Sequence, residues 1–259
     1  MNIQQKTTFE ISVVGKVTLI EFSGGHYSNP FSTARQIELT NIINELSANK
    51  KVGAIIFYGG EKRYFSAGGD FKEVCNFKGG KDSDLWLEAT LNLFKAVLAA
   101  PIPIISAIDG HCIGFGLQLA LVTDYRIVSK TASLSMPELK VGIACINGTY
   151  MLEHTIGRMR MQKLIWECGH WNGEQAYKHG LVHNVVEPES LLDQAKELAT
   201  KISTYESAAI GVTKLIMNTE FSSGLSNIFE QAKSSHRITF SNGTAQKNMK
   251  LLLNKKKQG

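Results

Sequence analysis

Apolar and polar residues alternate in two short runs near the start of the chain, and these runs predict a β-hairpin. The segment 9–23, FEISVVGKVTLIEFS, is rich in β-branched residues on both sides of Gly15 and Lys16, the predicted turn. Two later runs, VGAIIFYGG (52–60) and PIPIISAIDG (101–110), are short and almost wholly apolar. Their length and composition predict strands buried in the core.

Between these strands the apolar positions follow the period of an α-helix. Residues 31–48 carry isoleucines and a leucine at roughly helical spacing, and residues 85–100 have helical composition up to Pro101, which ends the predicted helix. Strands and helices therefore alternate along this part of the chain. That order favours a layered α/β core with right-handed crossovers.

After about residue 145 helices dominate the pattern. The run LVHNVVE (181–187) is the last strand-like segment, and a helix is predicted to begin at Pro188. A further helix is predicted over most of 222–240. The C-terminal third is therefore expected to be a helical extension of the same fold.

The composition agrees with one large fold. The chain has 259 residues, of which 43% are hydrophobic, and this is enough to build an ample core. No repeat, low-complexity segment or long linker divides it. We expect an α/β core over residues 1–195 and a helical C-terminal region over residues 196–259.

Cysteine spacing and the N-terminal sequence favour a cytoplasmic protein. The 4 cysteines are far apart, without a CxxC pair, so neither a zinc cage nor a disulfide framework is predicted. No pair of histidines falls at ligand spacing with a carboxylate, so no metal is expected. The first 14 residues lack a basic region followed by an apolar stretch, and no apolar run approaches the roughly 18 residues of a membrane span.

The net charge of +5 does not by itself indicate a nucleic-acid partner. Much of the excess lies in residues 255–257, three lysines, and in scattered lysines without interleaved aromatic residues. The lysine tail has two interpretations, a solvated end or a surface that attracts an anionic ligand such as a phosphate. No nucleic-acid partner and no membrane partner are predicted.

Two glycine-rich turns carry the first chemical signal. Each follows an apolar strand and precedes a helix: FSAGGD (65–70) and DGHCIGFG (109–116). Glycine lets backbone N–H groups approach a ligand closely, so such turns can hold an anion. Together the two turns predict an oxyanion hole, whose donors stabilise an enolate or a tetrahedral intermediate.

Four ordered motifs resemble those of the crotonase (enoyl-CoA hydratase/isomerase) superfamily. They are FSAGGD, AIDGHCIGFGLQLALVTDYRI, SLSMPELKVGI and NGEQAYKHGLVHNVVE, and the resemblance covers nearly the whole chain. It implies a crotonase-like (ClpP/crotonase) α/β fold, a spiral of repeated ββα units with a helical C-terminal region. It also implies an acyl-CoA lyase, isomerase or transferase that acts on a coenzyme A thioester and binds no permanent cofactor.

The resemblance also assigns roles to the glycine turns. The N–H groups of Gly69 and Phe115 would form the oxyanion hole for the thioester carbonyl, and the loop around Ala67 and Gly69 would contact the adenine end of coenzyme A. Lys72 has two interpretations, a contact to a coenzyme A phosphate or a solvated side chain. Asp70 is interpreted as the cap of the following helix.

The chain departs from the hydratases of this superfamily at one position. Those enzymes hold a water molecule with two glutamates, whereas here the first position is Gln118, which cannot take a proton, and the second is Glu138. Two-glutamate hydration is therefore not expected. A single carboxylate suits the movement of one proton next to the thioester, or the orientation and protonation of groups around an enolate made by other means.

Further motifs resemble the superfamily members that make carbon–carbon bonds. NPFS (29–32), FYGG (57–60), Cys145 and MQKLIWEC (161–168) match enzymes that decarboxylate malonyl-CoA and add the enolate to pyrroline-5-carboxylate. By this resemblance Glu138 is the active-site carboxylate, and Gln118 and His236 lie near the amino-acid substrate. From the sequence alone, an ordinary surface or interface histidine is the favoured interpretation of His236.

Three alternative functions stay open from the sequence. One is an enoyl-CoA hydratase or isomerase that uses Glu138 alone, and another is a decarboxylase of a carrier-bound acid in a polyketide pathway. A non-catalytic role such as RNA binding has only the positive charge balance in its favour, and a salt-dependent shift of RNA mobility would test it. The resemblance further implies a homotrimer or a hexamer, assembled through the C-terminal helices.

Overall fold

A six-stranded sheet forms the centre of the fold in the computed structural model, which describes residues 8–23 and 25–255. Two lysines of the C-terminal tail, Lys256 and Lys257, lie outside the described residues, as does the start of the chain. The strands are β1 (Glu10–Val14), β2 (Val17–Glu21), β3 (Ala54–Tyr58), β4 (Ile104–Ile108), β5 (His111–Ile113), β6 (Tyr125–Ser129), β7 (Ser133–Ser135), β8 (His170–Asn172) and β9 (Asn184–Val186). The helices are α1 (Thr33–Ala48), α2 (Phe71–Val74), α3 (Lys81–Ala99), α4 (Phe115–Leu121), α5 (Ile146–Ile156), α6 (Arg158–Glu167), α7 (Gly173–Lys178), α8 (Leu191–Ile202), α9 (Ser207–Ser241) and α10 (Thr244–Lys255).

The strand order of the central sheet is β1-β2-β3-β4-β6-β9. The β1–β2 hairpin is antiparallel, as predicted from the turn at Gly15, and the remaining pairs are parallel, with Ile55 opposite Ile104 in the β3–β4 pair. A second, three-stranded sheet has the order β5-β7-β8. Strands of the two sheets alternate along the chain, because β4 leads into β5 and β6 leads into β7.

Helices on both faces of the central sheet explain why β3 and β4 are almost wholly apolar. Ile55 and Phe57 face a large core that includes residues of α1 and α3, whereas Ala54 and Ile56 face a smaller core with Leu191 and other residues of α8. Successive side chains of a strand point to opposite faces, so a strand covered on both sides has no solvent-facing position, and the buried Ser106 of β4 hydrogen-bonds to Thr123 instead. The predicted α/β layered core is confirmed.

The observed helix boundaries correct three of the predicted ones. The helix predicted from residue 31 begins at Thr33, because the Ser32 hydroxyl accepts a hydrogen bond from Arg35 N and caps it. The helix predicted over 85–100 begins earlier, at Lys81. The helix predicted over 222–240 is much too short, since α9 runs for 35 residues from Ser207 to Ser241.

The division of the chain after residue 195 stays a prediction. Ala195 lies inside α8 and is buried against the central sheet, so the core and the helical region share this helix. Among the described residues, no helix is both long and apolar enough to cross a bilayer, and no cluster of three metal-ligating side chains occurs. The four cysteines are buried free thiols.

Candidate active site

Three parallel segments end at the same edge of the smaller sheet, and this places the predicted site residues together. Strand β5 pairs in parallel with β7, with Ile113 opposite Ser135, and Ser66 forms a parallel bridge to Cys112 on the other side of β5. The chain leaves these three segments in the same direction. The glycine turn after Ser66, the glycine turn after Ile113 and the Met136-Pro137-Glu138 motif after β7 therefore meet.

The first glycine turn directs the N–H of Gly69 away from its neighbouring segment. In the parallel bridge between Phe31 and Gly69, Phe31 N donates to the Gly68 carbonyl and Asp70 N donates to the Phe31 carbonyl. Phe31 thus hydrogen-bonds to the backbone of the residues before and after Gly69. The N–H of Gly69 itself has no acceptor among the described residues. Gly68 has a φ of +96°, a left-handed conformation that favours glycine.

The second glycine turn exposes the N–H of Phe115 in the same way. Gly114, with φ +55°, precedes α4, and Phe115 is the first residue of that helix, so its N–H has no partner within the helix. The two turns touch: a Cβ built on Gly68 would lie 2.9 Å from the Ile113 carbonyl oxygen and 3.7 Å from Phe115 N. Two unpaired amides on adjoining turns can stabilise an oxygen atom that becomes negative.

Glu138 opens a short 3₁₀ turn after β7, and its carboxyl group is largely desolvated. Burial raises the pKa of Glu138 from its ordinary value to about 7, and interactions with the backbone, with the Cys145 thiol and with the Gln118 amide oppose this rise. Gln118 Nε2 donates to Glu138 Oε1 at 3.1 Å, whereas the buried Oε2 has no hydrogen-bond partner among the described residues. The carboxyl group can therefore change protonation state near neutral pH.

A cavity of about 840 Å³ connects these groups. Its wall includes Gly69, Phe115, Gln118 and Glu138, and leucines of the C-terminal helix α10 close one side. The wall is mostly apolar, which strengthens electrostatic interactions inside it. A cavity of this size accommodates the acyl end of a thioester together with a small second molecule.

His236 is a buried residue of the cavity wall, so the interpretation as a surface histidine is wrong. It lies on α9, is 8% exposed and hydrogen-bonds to the backbone of Ala144, next to the Glu138 loop. Burial lowers the pKa of His236, which favours the neutral imidazole. The structure thus brings His236, Gln118 and Glu138 to one cavity.

The residues predicted to bind coenzyme A have different positions. Ala67 lines the cavity, and its N–H donates to the Ser28 carbonyl at 2.7 Å. Lys72 is exposed and does not line the cavity, so the solvated interpretation fits its position better. Asp70 caps α2 through a 2.9 Å hydrogen bond from Lys72 N to its carboxylate, as predicted.

The structure adds three polar residues that sequence reasoning missed. Lys140 lines the cavity two residues after Glu138, and Trp86 and Asn147 line it from α3 and α5. Trp86 Nε1 and Asn147 Oδ1 are buried and have no hydrogen-bond partner among the described residues. Nothing in the local sequence marks Trp86 or Asn147, because each lies in a helix whose orientation depends on distant packing.

The fold and the paired amide turns fit the class predicted from the sequence, enzymes that stabilise an oxyanion formed from a thioester. The predicted family is confirmed, since a family model described as enoyl-CoA hydratase/isomerase matches residues 13–259. The chain belongs to this crotonase family, whose enzymes act on coenzyme A thioesters. It is an acyl-CoA-processing enzyme.

Individual relatives agree with both the family and the predicted resemblance within it. Carboxymethylproline synthase from Pectobacterium carotovorum is 35% identical over 241 residues, which cover 93% of this chain and 96% of the relative. The structure of ThnE from S. clavuligerus is 41% identical, with a TM-score of 0.78, and covers 88% of this chain and 100% of that one. The structure of an enoyl-CoA hydratase from Bacillus halodurans, at 19% identity, has a TM-score of 0.87 over 95% of this chain and 100% of that one, which confirms the crotonase fold.

Proposed function

We propose that this enzyme decarboxylates malonyl-CoA and joins the resulting enolate to pyrroline-5-carboxylate, which gives carboxymethylproline as its coenzyme A thioester or as the free acid. The observation that carries the proposal is the direct 3.1 Å hydrogen bond from Gln118 to Glu138. By the family resemblance, Gln118 and Glu138 correspond to the two glutamates with which a hydratase holds a water molecule. The similarity to carboxymethylproline synthase over nearly the whole chain supports the same reaction.

The proposed reaction needs no general base for its first step. The bond between the malonyl carboxylate and C2 breaks, CO₂ leaves, and the electron pair stays on the thioester as an enolate. The N–H groups of Gly69 and Phe115 stabilise the enolate oxygen. An apolar cavity wall favours this step, because it desolvates the localised charge of the carboxylate, and that charge then moves to the enolate oxygen, where the two N–H groups stabilise it.

The second step forms the new carbon–carbon bond. The enolate C2 attacks the electrophilic carbon of the protonated imine, and the π electrons of the C=N bond move to nitrogen. The Glu138 carboxylate stabilises the cationic imine, and Gln118 holds Glu138 in place through its amide. Neutral His236 lines the same cavity and supplies a polar contact for the amino-acid substrate.

Mass spectrometry of the products tests the proposal. Purified enzyme is incubated with malonyl-CoA, with and without pyrroline-5-carboxylate, and carboxymethylproline and its thioester are quantified. The proposal expects either product only when both substrates are present. Recovery of unreacted malonyl-CoA from both reactions contradicts it and directs attention to enoyl-CoA and carrier-bound acids.

Hydration or isomerisation of an enoyl-CoA is the second candidate, favoured by the pKa of about 7 for Glu138, which suits a group that moves one proton. We predict that Gln118→Glu does not raise crotonyl-CoA hydration above the wild-type rate. In this variant two carboxyl groups replace a directly hydrogen-bonded pair, so they share a proton and leave no room for water between them. A spectrophotometric hydration assay checks this, and a rise of about tenfold or more would support the hydratase candidate.

We also propose that the enzyme is a homotrimer or a hexamer. Four apolar residues on neighbouring turns of α9 are strongly exposed in the single chain: Val212 (63%), Leu215 (59%), Ile216 (72%) and Met217 (74%). Such a patch supports an interface. Light scattering is expected to give three or six chains per particle for the wild type and a smaller assembly for Ile216→Glu. A monomeric wild type contradicts this proposal.

A further inference from the structure

Asn147 presents an unused hydrogen-bond acceptor to the cavity. The residue is 6% exposed, and its Oδ1 is buried without a partner among the described residues. A buried polar atom without a partner is costly, and most such atoms in folded proteins are paired. An unpaired one in a cavity wall therefore points to a bound molecule that carries a hydrogen-bond donor.

A second unused acceptor, Glu138 Oε2, belongs to the same cavity. The first turn of α5 joins the two positions: a Cβ on Gly148, the neighbour of Asn147, would lie 2.6 Å from Cys145 Sγ and 3.0 Å from Met136 Sδ. Gln118 Nε2 is 3.8 Å from the same Met136 sulfur and donates to Glu138. Since Asn147 and Glu138 also line the same cavity, we infer that Asn147 lies at its Glu138 end.

The chemistry of the two acceptors specifies the donor. A neutral amide oxygen gives direction to one hydrogen bond, and a carboxylate adds attraction for a positive charge. A ring nitrogen that carries N–H and a positive charge satisfies both, whereas an acyl chain satisfies neither. The matching ligand class is a cyclic iminium ion or a cyclic secondary ammonium ion.

We propose that Asn147 is a substrate-binding residue whose Oδ1 accepts the N–H of the second substrate, beside the Glu138 carboxylate. The identity of that substrate as pyrroline-5-carboxylate rests on the proposed function. Before the bond forms, the iminium nitrogen has one N–H, which Asn147 accepts. After C–C bond formation the nitrogen has a lone pair, takes a second proton from water, and then offers two N–H groups to the two acceptors.

Two variants of Asn147 separate the role of its oxygen from that of its size. Asn147→Leu keeps the branched shape and the number of side-chain heavy atoms but has no polar atom, and Asn147→Asp keeps an acceptor oxygen at the same place. Asn44→Leu, on the exposed face of α1, is the matched control for the substitution itself. Calorimetric titration with L-proline, a stable secondary ammonium, into enzyme saturated with acetyl-CoA measures binding without any turnover.

We expect Asn147→Leu to weaken L-proline binding and to raise the KM for pyrroline-5-carboxylate by about tenfold or more. Malonyl-CoA consumption should stay within about twofold of wild type, so that decarboxylation becomes uncoupled and acetyl-CoA accumulates. Asn147→Asp and Asn44→Leu should keep proline binding within about threefold. A purely structural role would instead lower malonyl-CoA consumption and Tm together, and that result overturns the inference.

The remaining outcomes separate this inference from the proposed function. Normal coupling in the wild type with unchanged proline binding and KM in Asn147→Leu overturns the inference alone. Proline binding that is lost in Asn147→Leu, without any carboxymethylproline formation by the wild type, supports the binding role and contradicts the proposed reaction. A wild type that neither binds proline nor forms the product overturns both.

Discussion

Replacing Glu138 with glutamine is expected to lower the rate of carboxymethylproline formation by about 10²–10³-fold, the range typical for loss of one group that stabilises charge in the transition state. Glutamine keeps the shape of the side chain but removes the negative charge that stabilises the cationic imine in the proposed mechanism. Decarboxylation should stay within about tenfold of wild type, because the amide groups of Gly69 and Phe115 stabilise the enolate without help from a carboxylate. The variant should therefore release acetyl-CoA.

Product ratios from mass spectrometry at saturating malonyl-CoA measure this uncoupling. The ratio of acetyl-CoA to carboxymethylproline should rise by at least about a hundredfold in Glu138→Gln. Equal loss of both products would mean that Glu138 acts before CO₂ leaves. Wild-type levels of both products would show that Glu138 has no role in the mechanism.

The pH dependence of stability is the control that Glu138→Gln folds with an intact cavity. Burial raises the pKa of Glu138 to about 7 in the folded protein, so the folded state holds the proton more tightly than the unfolded state. The stabilisation from protonation is present below the unfolded pKa and is lost as the pH rises through about 7. Between pH 5 and 8 the free energy of unfolding of wild type should fall by roughly 2 kcal/mol relative to the variant.

Much of the core could be predicted from the sequence because its elements are local and strongly patterned. The hairpin at Gly15 and the apolar runs that became β3 and β4 need only side-chain alternation and length. Helix α9 was harder to delimit. Its first half exposes apolar residues such as Ile216 and Met217, so its hydrophobic period does not describe packing within one chain.

The candidate site likewise contains residues that the sequence could predict and residues that it could not. The glycine turns and Glu138 follow strands directly, so motif and position along the chain identified them. The burial of His236 depends on how α9 crosses the cavity, and the unpaired atom of Asn147 depends on the packing of α5 against Met136. Neither the spacing of residues along a helix nor their composition determines such crossings.

Replacing Gly68 with alanine is expected to lower kcat for decarboxylation and for product formation together, by about 10²–10³-fold, the cost typical for loss of one oxyanion-hole donor. Gly68 has φ +96°, and an added Cβ would lie 2.9 Å from the Ile113 carbonyl oxygen, which belongs to a strand and cannot move freely. The turn must therefore shift away from the second turn. The N–H groups of Gly69 and Phe115 then no longer converge on one oxygen atom.

Gly180→Ala is the matched control for backbone strain. Gly180 also has a positive φ, +77°, but a Cβ at that position meets nothing within 4 Å, and the residue does not line the cavity. Both variants should lose stability because alanine is strained at either site, and Gly68→Ala should lose more because its Cβ also meets the Ile113 carbonyl oxygen. Steady-state kinetics should show a defect only in Gly68→Ala. Full activity of Gly68→Ala would show that the first glycine turn does not stabilise the oxyanion. If the turn binds the enolate oxygen, decarboxylation and product formation must both slow, because both steps depend on the same pair of amides. A defect in product formation alone, with decarboxylation intact, would indicate that the turn contacts the second substrate instead.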